Sequence, residues 1–236
     1  MSNGWNESAQ AWIDWADRDP NRALLLDPIM LGRLGDVSGR DILDVGCGEG
    51  RFCRMLRERG AQAVGIDPTC ALLRQAAKRD SGFCVRALGE QLPFRNGSFD
   101  EVVSYLSLID IEGFRLAIFE IARVLRPGGR VFIANLNPFV TSLPNPWYRD
   151  QCGNRIHVAV KDYNIEVGQA VGWAGIEIVN FHRPMSSYLG ALLDAGLILR
   201  FFTEPVPGKE AIKADPALDD LNVPLFHVME WQKPKR

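Results

Sequence analysis

The chain has 236 residues, enough for one large α/β domain with a substantial core. With 47% hydrophobic and 24% charged residues it has the composition of an ordinary soluble globular protein. Its formal net charge of -2 weighs against a protein whose main work is gripping nucleic-acid backbone, because phosphate neutralisation dominates that affinity; a local basic patch stays compatible with it.

The N-terminus, MSNGWNES, has no basic segment and no following apolar run, so a signal peptide is not expected. No apolar run is long enough to span a bilayer, and the expected location is the cytoplasm. Trp5, Ala9, Trp12, Ile13 and Ala16 recur at helical spacing. Asp27-Pro28 then offers a cap and a proline start for a second helix through Leu34. From Asp41 the pattern alternates. Strands are expected at 41–45, 63–66, 83–86, 99–105 and 130–136. Helices fall between them at 52–59, 70–79 and 115–125, the last stopping at Pro127-Gly128-Gly129. Residues 138–163 are rich in proline, asparagine and glycine, and 169–181 read as a pair of short strands, so 137–185 is taken as an insertion over the sheet. A helix at 186–195 and strands at 197–203 and 225–232 complete the chain. Such alternation implies α/β architecture, a doubly wound, mostly parallel sheet with helices on both faces. One domain is expected: an N-terminal helical segment (1–40), a core (41–136), a cap insertion (137–185) and the C-terminal part of the sheet (186–236).

Five cysteines, Cys47, Cys53, Cys70, Cys84 and Cys152, contain no CxxC pair. An odd count without that spacing suggests neither a disulfide framework nor a zinc site, so reduced, part-buried thiols and no metal are expected.

The run Asp44-Val45-Gly46-Cys47-Gly48-Glu49-Gly50 lies at the carboxyl end of the first strand and opens a helix, where open α/β sheets bind ligands. Its glycines permit close backbone approach, and the helix start presents free N–H groups. Asp67 ends the second strand, where a carboxylate can accept both hydroxyls of a ribose. A dinucleotide loop reads G-x-G-x-x-G; here the third glycine position is Arg51, which disfavours a pyrophosphate. The spacing suits a ligand with a ribose and a carboxylate. A tight turn that binds nothing is the plain alternative.

LDVGCGEG, then VGIDP, EQLPFRNGSFDEVVS and RVLRPGGRVFIAN resemble, in order, the motifs of class I, Rossmann-like S-adenosylmethionine-dependent methyltransferases, and in particular the small-molecule group with a methyltransferase type 11-like domain. The likeness runs from Ile42 to Asn135. It implies a seven-stranded Rossmann-like fold, S-adenosylmethionine as cofactor and S-adenosylhomocysteine as product. By resemblance, Gly46, Cys47 and Gly48 cradle the methionine part, Asp44 shapes the loop, Asp67 holds the ribose and Pro68 packs near the adenine. Many relatives carry an aspartate just before E-x-L-P-F. Leu88 stands there in this chain, which leaves adenine selection to the backbone around Leu88, Gly89 and Glu90 and to apolar packing.

Methyl transfer from a sulfonium is an in-line displacement that needs alignment and exclusion of water. A base is required only where the acceptor must lose a proton early. Ser104 and Tyr105 end the fourth strand, beside the expected position of the methyl group. Tyr105 could line the pocket and contact the sulfonium, or simply pack at the strand end. Trp5, Trp12 and Trp15 could form a lid, or a plain apolar helix face. Of the three histidines His182 is the candidate base, His157 a weaker one, and His227, in the final strand, a structural residue.

The end of the fourth strand lacks the Asn/Asp-Pro-Pro-aromatic motif of DNA amino-methyltransferases; Asn137-Pro138-Phe139 mimics it one strand too late. The radical-enzyme spacing C-x3-C-x2-C is also missing. An insertion bearing Trp147, Tyr148, Tyr163, Trp173 and Phe181 suits a small or medium organic acceptor. The favoured reading is therefore a small-molecule methyltransferase, with no membrane or nucleic-acid partner and a homodimer left open. The alternatives are a methyltransferase of RNA or protein, a non-catalytic relative and, more distantly, a nicotinamide oxidoreductase.

Overall fold

The computed structural model describes residues 3–219 and 222–235. The N-terminal periodicity forms α1 (Trp5–Trp15) and α2 (Asp27–Leu34). Contrary to expectation, Asp27 does not cap a fresh helix. A π-helical turn, Asn21–Leu26, runs directly into α2, and the Asp27 N–H already bonds to the carbonyl of Arg22. With its capping role redundant, the Asp27 carboxylate turns inward to Arg51 and Tyr105.

Alternation then follows as β1 (Asp41–Val45), α3 (Arg51–Arg57), β2 (Gln62–Asp67), α4 (Cys70–Lys78), β3 (Phe83–Arg86), β4 (Phe99–Tyr105), α5 (Phe114–Val124) and β5 (Leu125–Leu136). β5 begins earlier than its sequence suggests. Pro127-Gly128-Gly129 ends α5 but not the pairing, since Leu125 already faces Phe99 and a register irregularity absorbs the turn before Glu101.

The remainder contains α6 (Pro138–Thr141), β6 (Trp147–Arg149), β7 (Arg155–Val158), β8 (Val167–Trp173), β9 (Ile176–His182), α7 (Met185–Asp194), β10 (Ile198–Thr203), α8 (Lys209–Ala214) and β11 (Phe226–Gln232). The expected strand pair is the β8–β9 hairpin. The small β6–β7 ladder and α6, inside the proline-rich stretch, and α8 were not legible in the sequence. Seven strands form the central sheet in the order β10-β11-β5-β4-β1-β2-β3. It is parallel from β5 to β3, while β11 runs antiparallel between β5 and β10.

Strand side chains alternate between two cores, as period-2 geometry requires. Leu43, Val45, Val102, Val131 and Ile133 pack with Phe114, Ile121 and Leu192 of α5 and α7. Ile42, Val103, Phe132 and Ala134 pack with Met30, Phe52 and Leu56 of α2 and α3 on the other face. Among the described residues no helix is long and apolar enough to cross a membrane.

The N-terminal segment is hydrogen-bonded to β9. The Val179 N–H donates to the Asn3 carbonyl (2.9 Å), and the Ser8 hydroxyl both donates to the Glu177 carbonyl and accepts from the Glu177 N–H, each at 2.9 Å.

Candidate functional site

The glycine loop leaves β1 at the carboxyl edge of the sheet. Gly46 has φ 79°, and a Cβ there would stand 2.4 Å from Cβ of Ser107, so no other residue fits. The Gly46 and Cys47 N–H groups donate to the Ile66 carbonyl (2.8 and 2.9 Å), which ties the loop to β2. Asp67 at the end of β2 accepts the Gly48 N–H on Oδ2 (3.0 Å) and the Thr69 N–H on Oδ1 (2.8 Å). The Thr69 side chain also bonds this carboxylate, which still keeps acceptor capacity for a further donor. Burial raises the Asp67 pKa above the usual carboxylate value.

A cavity of about 580 Å³ opens over this loop. Gly46, Cys47, Gly48, Asp67, Pro68, Leu88, Gly89, Glu90 and Tyr105 line it. Asp44 and Ser104 do not reach its wall. Asp44 is buried behind the loop, where the Cys53 thiol donates to its Oδ2 (3.5 Å) and burial pushes its pKa up to about 7. Ser104 Oγ lies 2.7 Å from Ser107 Oγ; Ser107, which bonds the Val45 carbonyl at 2.5 Å, is the serine at the wall. Leu88 is 55% exposed at the rim. Glu90 is engaged with the backbone, its Oε1 accepting the Gly113 N–H (3.2 Å).

Tyr105 faces this cavity, but its hydroxyl is committed elsewhere. It donates to Asp27 Oδ1 (2.8 Å), and Asp27 in turn pairs with Arg51. Burial and the Asp27 charge raise its pKa well above the ordinary phenol value.

Arg22 and Glu49 also line the wall, although neither was among the sequence-predicted site residues. Arg22, carried in by the π-helical turn, is buried with its guanidinium carbon 5.3 Å from the Trp12 ring centre and 5.0 Å from that of Tyr105. Its Nε and Nη1 have no hydrogen-bond partner among the described residues. Glu49 is also buried: Oε2 accepts the Trp12 indole N–H (3.0 Å) while Oε1 has no partner among them. Glu49 was visible inside the glycine loop. Arg22 lies in a segment with no motif.

A second cavity of about 360 Å³ adjoins the first, sharing Trp5, Trp12, Leu106 and Asp110 with it. Its other walls come from the N-terminal segment, the cap and the core positions Ile109, Leu136 and Phe226; Trp15, Val140, Leu143, Trp173 and Ile178 are prominent, Asp19, Asn21, Gln169 and Asn180 add polar groups, and no lysine or arginine lines it among the described residues. His182 is in this wall with both nitrogens engaged: Nδ1 is 2.8 Å from Thr141 Oγ1 and Nε2 is 2.9 Å from the Tyr163 carbonyl. A carbonyl only accepts, so Nε2 carries a proton. His157 stacks on Tyr148 in the β6–β7 ladder and lines neither cavity. His227 is buried in β11, also outside both.

Asp110 stands where the cavities meet, on the 3-10 turn after β4. Its Oδ1 accepts from Asn180 Nδ2 (2.5 Å), and the Trp5 indole donates to its carboxylate. Burial lifts its pKa to about 8. Buried Arg183 fixes this segment by donating to the carbonyls of Leu108 (3.0 Å), Ile111 (2.5 Å) and Glu112 (3.1 Å).

A glycine loop at the carboxyl edge of this sheet, with a carboxylate at the end of β2, defines a Rossmann-like nucleoside-binding domain. Residues 43–133 match the family model described as a methyltransferase domain. An S-adenosylmethionine-dependent methyltransferase structure from Mesorhizobium loti is 28% identical and superposes with a TM-score of 0.80, covering 92% of this chain and 99% of that one. The demethylmenaquinone methyltransferase of Tropheryma whipplei (strain Twist) is 33% identical over 107 residues, 44% of this chain and 45% of that protein. The phthiotriol/phenolphthiotriol dimycocerosates methyltransferase of Mycobacterium leprae (strain TN) is 32% identical over 178 residues, 72% of this chain and 65% of that protein. The chain spans less than half the length of the first curated relatives it matches. Through its residues 43–133 and its fold, the chain is similar to the class I S-adenosylmethionine-dependent methyltransferases.

Proposed function

We propose that the protein transfers a methyl group from S-adenosylmethionine to an apolar organic acceptor of small or medium size. The observation that supports this reading is the pair of adjoining cavities, one over the glycine loop and Asp67, the other walled by tryptophans and aliphatic side chains with a minority of polar groups and no lysine or arginine among the described residues. The residues fit the cofactor's functional groups. The unpaired donors of Arg22 suit an α-carboxylate, the free Oε1 of Glu49 suits an α-ammonium, and the remaining acceptor capacity of Asp67 suits the ribose hydroxyls. Ile111 and Leu72 give the base an apolar slot beside Pro68 and Leu88. When bound, the cofactor supplies an electrophilic methyl on a sulfonium.

The chain's own residues would then align the acceptor and exclude water. Trp5 and Trp12 wall both cavities, which suits them to sealing the junction. Asp110, with its carboxyl at that junction, is suited to take a hydroxyl proton as its own proton leaves near pH 8. In this reading His182, anchored on the Tyr163 carbonyl, positions Thr141 in the acceptor wall and is not the base, since a ring with both nitrogens bonded has none free. Tyr105 orders the cofactor wall through Asp27. The names of the relatives support an apolar acceptor, since a menaquinone precursor and phthiotriol-type lipids are what those proteins are named for.

The test has two parts. Calorimetric titration should show binding of S-adenosylmethionine and none of NAD; absence of the former removes the claim. Radiolabelled S-adenosylmethionine is then offered with a panel of prenylated quinols, long-chain phenols, transfer RNA and small proteins. Label should enter the apolar phenolic compounds. Label entering only RNA or protein would reject the acceptor class.

A further inference from the structure

Beneath the glycine loop, and including Cys47 of the cofactor-cavity wall, the sheet assembles a cluster of soft ligands. In register, Asp44 of β1 faces Gly65 of β2, and Gly65 faces Cys84 of β3. Residues in register on adjacent strands project to the same face. The row is therefore a carboxylate, a gap and a thiol. Over the gap come Cys47 from the glycine loop and Cys53 from the first turn of α3. A Cβ on Gly65 would stand 2.6 Å from Cys47 Sγ and 3.0 Å from Cys53 Sγ, so glycine there keeps the chamber open. The three sulfur atoms lie within 4.8 Å of one another. Cys47 and Cys53 are buried, and Cys84 is half-buried, giving the cluster a side open to solvent. Asp44 borders it, with Oδ2 on the Cys53 thiol and Oδ1 buried and without a partner among the described residues.

A cation held by thiolates sits about 2.3 Å from each sulfur, which sets the sulfurs about 4 Å apart. The cluster needs only a small contraction to reach that spacing. A disulfide would demand far more, because its sulfurs must close to about 2 Å. We propose that Cys47, Cys53 and Cys84 form a binding site for one soft cation, cuprous copper or zinc. Thiolates select these ions over harder ones. Three thiolates alone satisfy cuprous copper. Zinc prefers four ligands, so it would need one more ligand besides the three thiolates. Each thiol releases its proton to solvent on binding, and no oxidation is involved. The ligands come from a loop, a helix and a strand, which is why the cysteine spacing carried no trace of the site.

The experiment uses the full chain with Cys70→Ser and Cys152→Ser, which leaves only the three cluster thiols. The reduced, metal-stripped protein is titrated anaerobically with cuprous copper against a chromogenic chelator, and separately with zinc. Binding of one equivalent of either ion is expected, with at least about 100-fold weaker binding in Cys53→Ser and in Cys84→Ser. Circular dichroism checks their folding. Cys84→Ser changes a half-buried residue of an edge strand, so it stands as the test should Cys53→Ser fail to fold. Copper alone supports a three-thiolate site, and zinc supports one completed by a fourth ligand. Failure of both ions to bind stoichiometrically, or full affinity in folded Cys84→Ser, overturns the site.

Discussion

Arg22 is a buried cation whose Nε and Nη1 lack hydrogen-bond partners among the described residues, an arrangement that costs free energy in the free protein unless a ligand completes it. Arg22→Met keeps the stem over Trp12 and Tyr105 but removes the donors. The dissociation constant for S-adenosylmethionine is expected to rise about 10- to 100-fold, the worth of a charge-assisted hydrogen bond, while the melting temperature of the free protein does not fall. An unchanged constant in calorimetry would place the carboxylate elsewhere. Asp110 gives a pH prediction. Its folded pKa of about 8 means the carboxyl is mostly protonated at pH 7 and becomes a base as pH rises. With a hydroxyl acceptor, kcat/KM should climb through the neutral range to a plateau, and Asp110→Asn should lower the plateau and abolish the climb. A parallel profile in the variant would rule Asp110 out as the base. Asp67 was legible because its motif sits at a fixed distance along the chain. The places of Arg22 and Asp110 in the cavity walls were not, because they arise where a π-helical turn and a 3-10 turn meet a pocket built by distant segments.

At the level of elements, the alternating core was readable because β1 to β4 are short and bounded by turn residues, and the apolar run 130–136 marks the body of β5. Where boundaries failed, a tertiary partner outweighed a local signal. Asp27 reads as a cap but serves Arg51 and Tyr105, and Pro127-Gly128-Gly129 reads as a stop but stays in the ladder. β11 carries a conflict of another kind. His227 is fully buried beside the rings of Tyr188 and Phe202, and neither ring nitrogen has a hydrogen-bond partner among the described residues. Burial lowers its pKa from 6.5 to about 4. A lowered pKa in a base means that the folded state binds fewer protons than the unfolded one below pH 6.5. Stability is therefore full above that value and is lost as pH falls toward 4. His227→Leu, similar in volume, should stabilise the protein by about 1–2 kcal/mol at pH 7.5 by removing an unpaired buried donor. Its advantage over the parent should widen between pH 6.5 and 4. Urea denaturation of both proteins at several pH values measures this, and equal stability at pH 7.5 would mean that the imidazole is paired.

For the whole molecule, the question is how far the roof formed by the N-terminal segment and the β8–β9 hairpin controls two chambers. The aromatic residues of α1 could be read from the sequence as either a lid or a plain helix face. The choice depended on the β8–β9 hairpin, whose bonds to Asn3 and Ser8 bridge residues far apart along the chain and leave no periodic signal. With the roof in place the tryptophans separate by position. Trp5 and Trp12 border both cavities, and Trp12 also holds Glu49, whereas Trp15 borders the second cavity alone. Substitutions should divide accordingly. Trp12→Ala should weaken S-adenosylmethionine binding, because Glu49 loses the donor that orients it, and should also raise KM for the acceptor. Trp15→Ala should raise KM for the acceptor several-fold, as expected when an aromatic wall is cut away, and leave cofactor affinity at the parent value. Calorimetry for the cofactor and initial rates for the acceptor read the two effects independently. Equal losses of cofactor affinity in both variants would show that the roof moves as a single rigid plate. Loss confined to Trp12→Ala would mean that each tryptophan acts on the chamber it borders, so that the roof can adapt to an acceptor without disturbing the cofactor.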